Sequence, residues 1–126
     1  MNKQNEAGMD REQFYNRLEA TFKKALEIAK LKNQDYAGTD DPFRNFKNAL
    51  SVGVSVERGI MVRMMDKISR ISNLLDKEAA VKDERLEDTL LDLINYSCIL
   101  SVYLKTVKGN TREFDKGYGI KARVDY

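Results

Sequence analysis

Residues 83–108 read DERLEDTLLDLINYSCILSVYLKTVK, a run with neither glycine nor proline. Laid out at about 100° per residue, it forms a helix whose main apolar face is Leu86, Leu90, Leu93, Leu100 and Leu104. Asp83 is placed to cap it, Glu84 and Glu87 suit the positive end of its dipole, and Gly109 stops it. Glu84, Asp88, Asp92 and Asn95 fall on the opposite side, inside a wedge of about 80°. Leu91, Ile99 and Val102 lie in or beside that wedge, so the C-terminal half is apolar nearly all round. A helix apolar on two sides is covered on two sides. This long helix makes the chain all-α and predicts a homo-oligomer, dimer or higher. A monomeric bundle with a few exposed aliphatics is the alternative.

Three further helices precede it, giving a four-helix, bundle-like domain. The first runs from about Asp10, its cap, to Lys32, with Phe14, Leu18, Phe22, Ala25 and Ala29 at three- and four-residue steps. Turn formers then fill 33–41. Asp41 before Pro42 reads as cap and first helical position of a short helix from Phe43 to Leu50, whose Phe43, Phe46 and Leu50 are core positions. Gly53 breaks that helix. Ser55 caps the third, which runs to about Asp76 on a core stripe of Ile60, Met64, Ile68, Ile71 and Leu75. The chain reads as one domain, 1–126, with a helical core over 10–108 and a charged tail over 109–126.

Composition narrows the function classes. With 22 basic against 20 acidic side chains the net charge is +2, too balanced for general attraction to nucleic acid or a membrane. The start has no apolar run of the secretory kind, and no stretch approaches the roughly 20 apolar residues that span a bilayer. A single cysteine, Cys98, excludes an intramolecular disulfide framework and suits a reducing, cytoplasmic compartment. The absence of histidine removes histidine-assisted nucleophiles and histidine metal ligands together. A metal here is a hard cation held by oxygens, magnesium or manganese.

The charged faces pose the functional question. Glu84, Asp88 and Asp92 make two like-charge pairs at four-residue spacing, which repel unless something cationic sits among them. On the third helix Arg63, Asp66, Arg70 and Asn73 share one wedge, with Lys67 at its margin. Arg63 and Arg70 could neutralise Asp88 and Asp92 in an ion network. Alternatively Asp66, Glu84, Asp88 and Asp92 could hold divalent cations, leaving the bases for phosphates. A solvated charged face on the third helix is a third possibility.

Four segments, KNQDYAG at 32–38, DPFRNF at 41–46, RMMDKISR at 63–70 and DERLEDTLLDLINY at 83–96, occur in an order that resembles the nucleotide modification-associated, MazG-like branch of the all-α nucleoside triphosphate pyrophosphohydrolases. That branch is often found in phage genomes, which would place the protein in a host cytoplasm. The likeness covers about residues 20–104. It implies an intertwined helical oligomer that cleaves a nucleoside triphosphate to monophosphate and pyrophosphate with magnesium or manganese.

Position by position, the resemblance makes Asp66, Glu84, Asp88 and Asp92 metal ligands, with Asp92 alternatively a positioning acid. Asp88 and Lys67 would serve the chemistry. Lys32, Asp35, Tyr36 and Asn45 would line the nucleotide site, with Arg63, Lys67 and Arg70 near phosphates. Those residue types suit the reaction, because cations offset the triphosphate charge and arginine or lysine stabilises the leaving pyrophosphate. The sequence departs from the wider superfamily at two acids. Arg63 stands three residues before Asp66, and Arg85 three before Asp88, where acids are usual; Glu57 points to the other side of its helix. The resemblance leaves a second function class open, a non-catalytic protein that sequesters a nucleotide, cyclic signals included. In that class the basic tail would fold across a neighbour.

Overall fold

The computed structural model describes residues 8–36, 40–77 and 84–108. It is all-α. Helix α1 spans Arg11–Tyr36, α2 Arg44–Lys47, α3 Val56–Leu75 and α4 Glu84–Lys108, with a 3₁₀ turn at Asn48–Val52 between α2 and α3. The expected caps at Asp83 and Gly109 and the tail 109–126 lie outside the described residues.

Local sequence chemistry sets the helix starts. The Asp10 carboxylate accepts from the Gln13 N–H at 2.9 Å, and Gln13 Oε1 accepts from the Asp10 N–H at 2.9 Å, a reciprocal capping box. Ser55 Oγ accepts from the Arg58 N–H at 3.2 Å and starts α3. Gly53, at φ 76°, takes the left-handed conformation that turns the chain from the 3₁₀ segment into that cap.

Two boundaries differ from expectation. α1 continues through 33–36, because Asn33, Gln34 and Asp35 are tolerated in a last helical turn and no breaker precedes Gly38. The segment expected to be helical over 43–50 is α-helical only over Arg44–Lys47 and tightens to 3₁₀ from Asn48. Pro42 sits in a turn, closed by the Arg44 N–H donating to the Asp41 carbonyl oxygen at 3.2 Å, and the helix begins two residues later.

α4 packs along α3 and against α1. Ile60, Met64, Lys67, Ile71 and Leu74 on α3 repeat at steps of four and three, as do Leu86, Thr89, Leu93, Tyr96, Leu100, Tyr103 and Val107 on α4. That 3.5-residue spacing keeps one seam facing a neighbouring helix. Ile60 is fully buried and packs with Phe46, Tyr96, Leu100 and Tyr103, while Leu74 pairs with Leu86 at the far end. The expected α3 stripe is therefore corrected: Leu74 replaces the exposed Leu75, and Ile68 is exposed while Lys67 faces the seam. Leu90, assigned to the main face of α4, is also exposed; Leu91 is buried instead.

The α1 stripe is corrected more strongly. Only Ala25 is buried, and Phe14, Leu18 and Phe22 are exposed. α4 carries a further correction, since Arg85–Val107 is long and apolar enough, by length and composition, to cross a bilayer. In this structure α4 meets α3 and α1, and Leu86, Thr89 and Leu91 are its buried positions among the described residues.

Candidate functional site

Where α1 crosses α4, the 41–46 segment closes one side and leaves a groove of about 620 Å³. Such a volume is in the range of small-molecule sites. Its apolar wall is built by Phe22, Leu26, Phe43, Ile99 and Val102, with Tyr96 and Cys98 among its lining. Lys32, Asn33, Asn45, Arg63, Asp92 and Asn95 bring polar groups to the same groove.

The crossing itself is fixed by a small residue and an amide. Ala25 is 1% exposed, and Asn95 Nδ2 donates to its carbonyl oxygen at 2.9 Å. One turn before Asn95 lies Asp92. Its Oδ1 accepts from Lys32 Nζ at 2.8 Å and its Oδ2 lies 3.1 Å from Lys67 Nζ. Three helices thus meet at one carboxylate. Burial raises the Asp92 pKa, but the hydrogen bonds and charges of Lys32 and Lys67 outweigh it and hold the carboxyl below the ordinary aspartate value.

Arg63 is seated differently. Its guanidinium carbon stands 4.9 Å from the centroid of the Phe46 ring, a cation–π contact at the edge of the groove. Phe46 in turn meets Tyr96 edge-on at 6.2 Å, and Phe43 meets Tyr103 edge-on at 5.2 Å. These contacts anchor the 41–46 segment on α4. Asp41 braces the segment's start: its carboxylate accepts from Lys47 and from the Phe43 N–H, and both hold its pKa below the ordinary value.

Of the residues expected at a site, Lys32, Asn45, Arg63 and Asp92 line the groove, and Lys67 reaches it through Asp92. Asp66, Arg70 and Asp88 are exposed and do not line it. The side chains of Asp35, Tyr36 and Glu84 lie outside the described residues. Among the described residues no three aspartate, glutamate or cysteine side chains converge as a metal centre. Asp92, the most enclosed of the expected ligands among the described residues, already has both oxygens engaged by lysines. Asp66, Asp88 and Asp92, the described members of the expected ligand set, do not converge as one centre.

The sequence reading missed Asn33, Asn95, Phe43 and Tyr96 as groove residues. Asn95 carried a signal, an amide one turn from Asp92 on a helix otherwise apolar there. Phe43, a core position by sequence, packs on the cluster of Phe46 and Ile60 and, being half-buried, also faces the groove.

A family model described as nucleotide modification associated domain 1 matches residues 32–104. The match runs from the lysine that binds Asp92 to Leu104 in the last turns of α4, and so includes Lys32, Arg63 and Asp92 of the groove. No protein of curated function and no solved structure matches the chain.

Proposed function

The chain belongs to the nucleotide modification associated domain 1 family, and on that premise we propose that it binds a nucleotide in the groove between α1 and α4. One observation carries the reading: Lys32 and Arg63 line a groove whose wall is apolar and aromatic, and Lys32 is held there by Asp92, which Lys67 backs from α3. A nucleotide has that same polarity. Its phosphates would lie toward Lys32, Lys67 and Arg63, and its base against Phe43 and Tyr96, where an aromatic face offers stacking. Asn33, Asn45 and Asn95 supply amide donors and acceptors for base edges or sugar hydroxyls.

Magnesium-dependent hydrolysis of a triphosphate to monophosphate and pyrophosphate is the second reading, favoured by the ordered MazG-like motifs and by the acids Glu84, Asp88 and Asp92 along α4. Bound magnesium would supply charge neutralisation and an activated water. The described carboxylates of a single chain do not assemble a seat for it. Both readings take the working species as a homo-oligomer, a proposal supported by the apolar surface that α1 leaves uncovered.

The test is equilibrium binding of a panel of nucleoside mono-, di- and triphosphates and cyclic nucleotides, run with and without magnesium, alongside a pyrophosphate-release assay. Binding that Lys32→Met and Arg63→Met weaken supports the groove. Turnover abolished by Asp88→Asn supports the enzyme. Absence of binding by every nucleotide rejects both.

A further inference from the structure

We propose that Asp92 is the internal counter-anion of a phosphate seat, and that an incoming phosphate takes Lys32 from it while Lys67 keeps the carboxylate paired. The inference rests on the nucleotide reading above and adds the event by which the groove is loaded.

The geometry separates the two lysines. They bind different oxygens of Asp92, Lys32 on Oδ1 and Lys67 on Oδ2, so either contact can break while the other persists. Their surroundings differ as well. The Lys32 side chain is 50% exposed and lines the groove, whereas Lys67 is 26% exposed and lies on the α3–α4 seam. Asp92 is 16% exposed, too enclosed to lose both partners cheaply. A lysine is suited to the exchange, since its ammonium is a point charge on a flexible stem and needs no fixed orientation to pass from carboxylate to phosphate.

Charge gives the direction. Arg63 stands on the same groove and makes no ion pair among the described residues. A polyphosphate carries several negative charges against the single charge of Asp92, and so competes well for Lys32. Asp92 thereby weakens anion binding in general while keeping Lys32 paired in the empty groove. A divalent cation plays no part in the exchange, which sets this role apart from that of a metal ligand.

The experiment uses the full chain and tripolyphosphate, without divalent ions, followed by titration calorimetry. Asp92→Asn removes the competitor and is expected to bind about tenfold more tightly than the unsubstituted chain. Equal or weaker binding by the variant overturns the proposal. A second measurement needs no substitution: the side-chain NMR signals of Lys32 and of the Asp92 carboxyl should shift with the same apparent affinity as tripolyphosphate is added. Saturation with both signals unmoved also overturns it. Failure of the nucleotide reading shows separately, as tripolyphosphate binding with these properties that no nucleoside triphosphate displaces.

Discussion

Asn95 on α4 donates its side-chain amide to the backbone carbonyl of Ala25 on α1, at 2.9 Å. The Ala25 carbonyl belongs to a helix interior, so this bond is additional to the helical ladder and ties two elements that are far apart in sequence. The methyl of Ala25 sets how closely the helices approach, and the amide of Asn95 holds them in that register. Ala25→Leu is expected to overpack the crossing, lowering stability by about 1–3 kcal/mol in urea unfolding. Asn95→Ala should cost about 1 kcal/mol by loss of the bond. Both variants should weaken nucleotide binding, because α1 forms one wall of the groove.

Asp92 gives a pH dependence with a definite sign. Burial raises its pKa, and the Lys32 and Lys67 contacts lower it further than burial raises it, so the folded value lies below the ordinary aspartate value. A depressed carboxylate contributes stability that is fully present above the unfolded pKa and is lost as pH falls through the folded one. The stability difference between the unsubstituted chain and Asp92→Asn should therefore be constant from neutral pH to about pH 5 and shrink in more acid solution. Because Lys32 is half exposed, the neutral-pH difference should be only about 1 kcal/mol. Chemical unfolding at pH 7 and pH 3 checks it.

Much of the fold was legible because its signals are local. Asp10, Ser55 and Gly53 act within one turn of themselves, and the structure uses each as expected. The seam was harder. Ile60, Met64, Ile68 and Leu75 satisfy helical periodicity as well as Ile60, Met64, Lys67 and Leu74 do, and only the second set keeps facing a neighbouring helix along its length. A lysine in that set hid it. The site was legible in part, since Lys32, Asn45, Arg63 and Asp92 were singled out and share one groove. What sequence periodicity could not supply was the partner of Asp92. Arginines on α3 were candidates by helical wedge, but the contacts come from Lys67 on the seam and from Lys32 on α1.

Among the described residues, Glu57 is the one buried side chain whose polar atoms have no hydrogen-bond partner. It is 9% exposed, and both carboxylate oxygens are shut from solvent. Its place in the first turn of α3 lets the helix dipole favour the charge by about 0.3–1 kcal/mol. That is smaller than the cost of an uncompensated buried carboxylate. Glu57→Met keeps the unbranched stem and removes both oxygens, and should raise stability by about 1–3 kcal/mol. A lower urea midpoint for this variant would show that the carboxylate is paired in the assembled protein.

The last prediction concerns the first half of α1. Every residue from Arg11 to Lys24 is exposed, including Phe14, Leu18 and Phe22, which recur at four-residue steps on one face. An isolated helical arm of this length is marginal in water, and its stability ordinarily comes from packing of its apolar face. Helix propensity does not substitute here, since Phe14, Tyr15, Asn16 and Phe22 are mediocre helix formers. Under the proposed homo-oligomer, that face is covered by a second copy of the chain. Leu18→Glu with Phe22→Glu places two carboxylates in the covered face and should dissociate the assembly, visible as a fall to monomer mass in sedimentation equilibrium. The same variant should lose helicity by circular dichroism at low protein concentration. A monomer mass for the unsubstituted chain at concentrations near 100-fold above those of the assay would rule out the assembly, and α1 would then be helical without a cover.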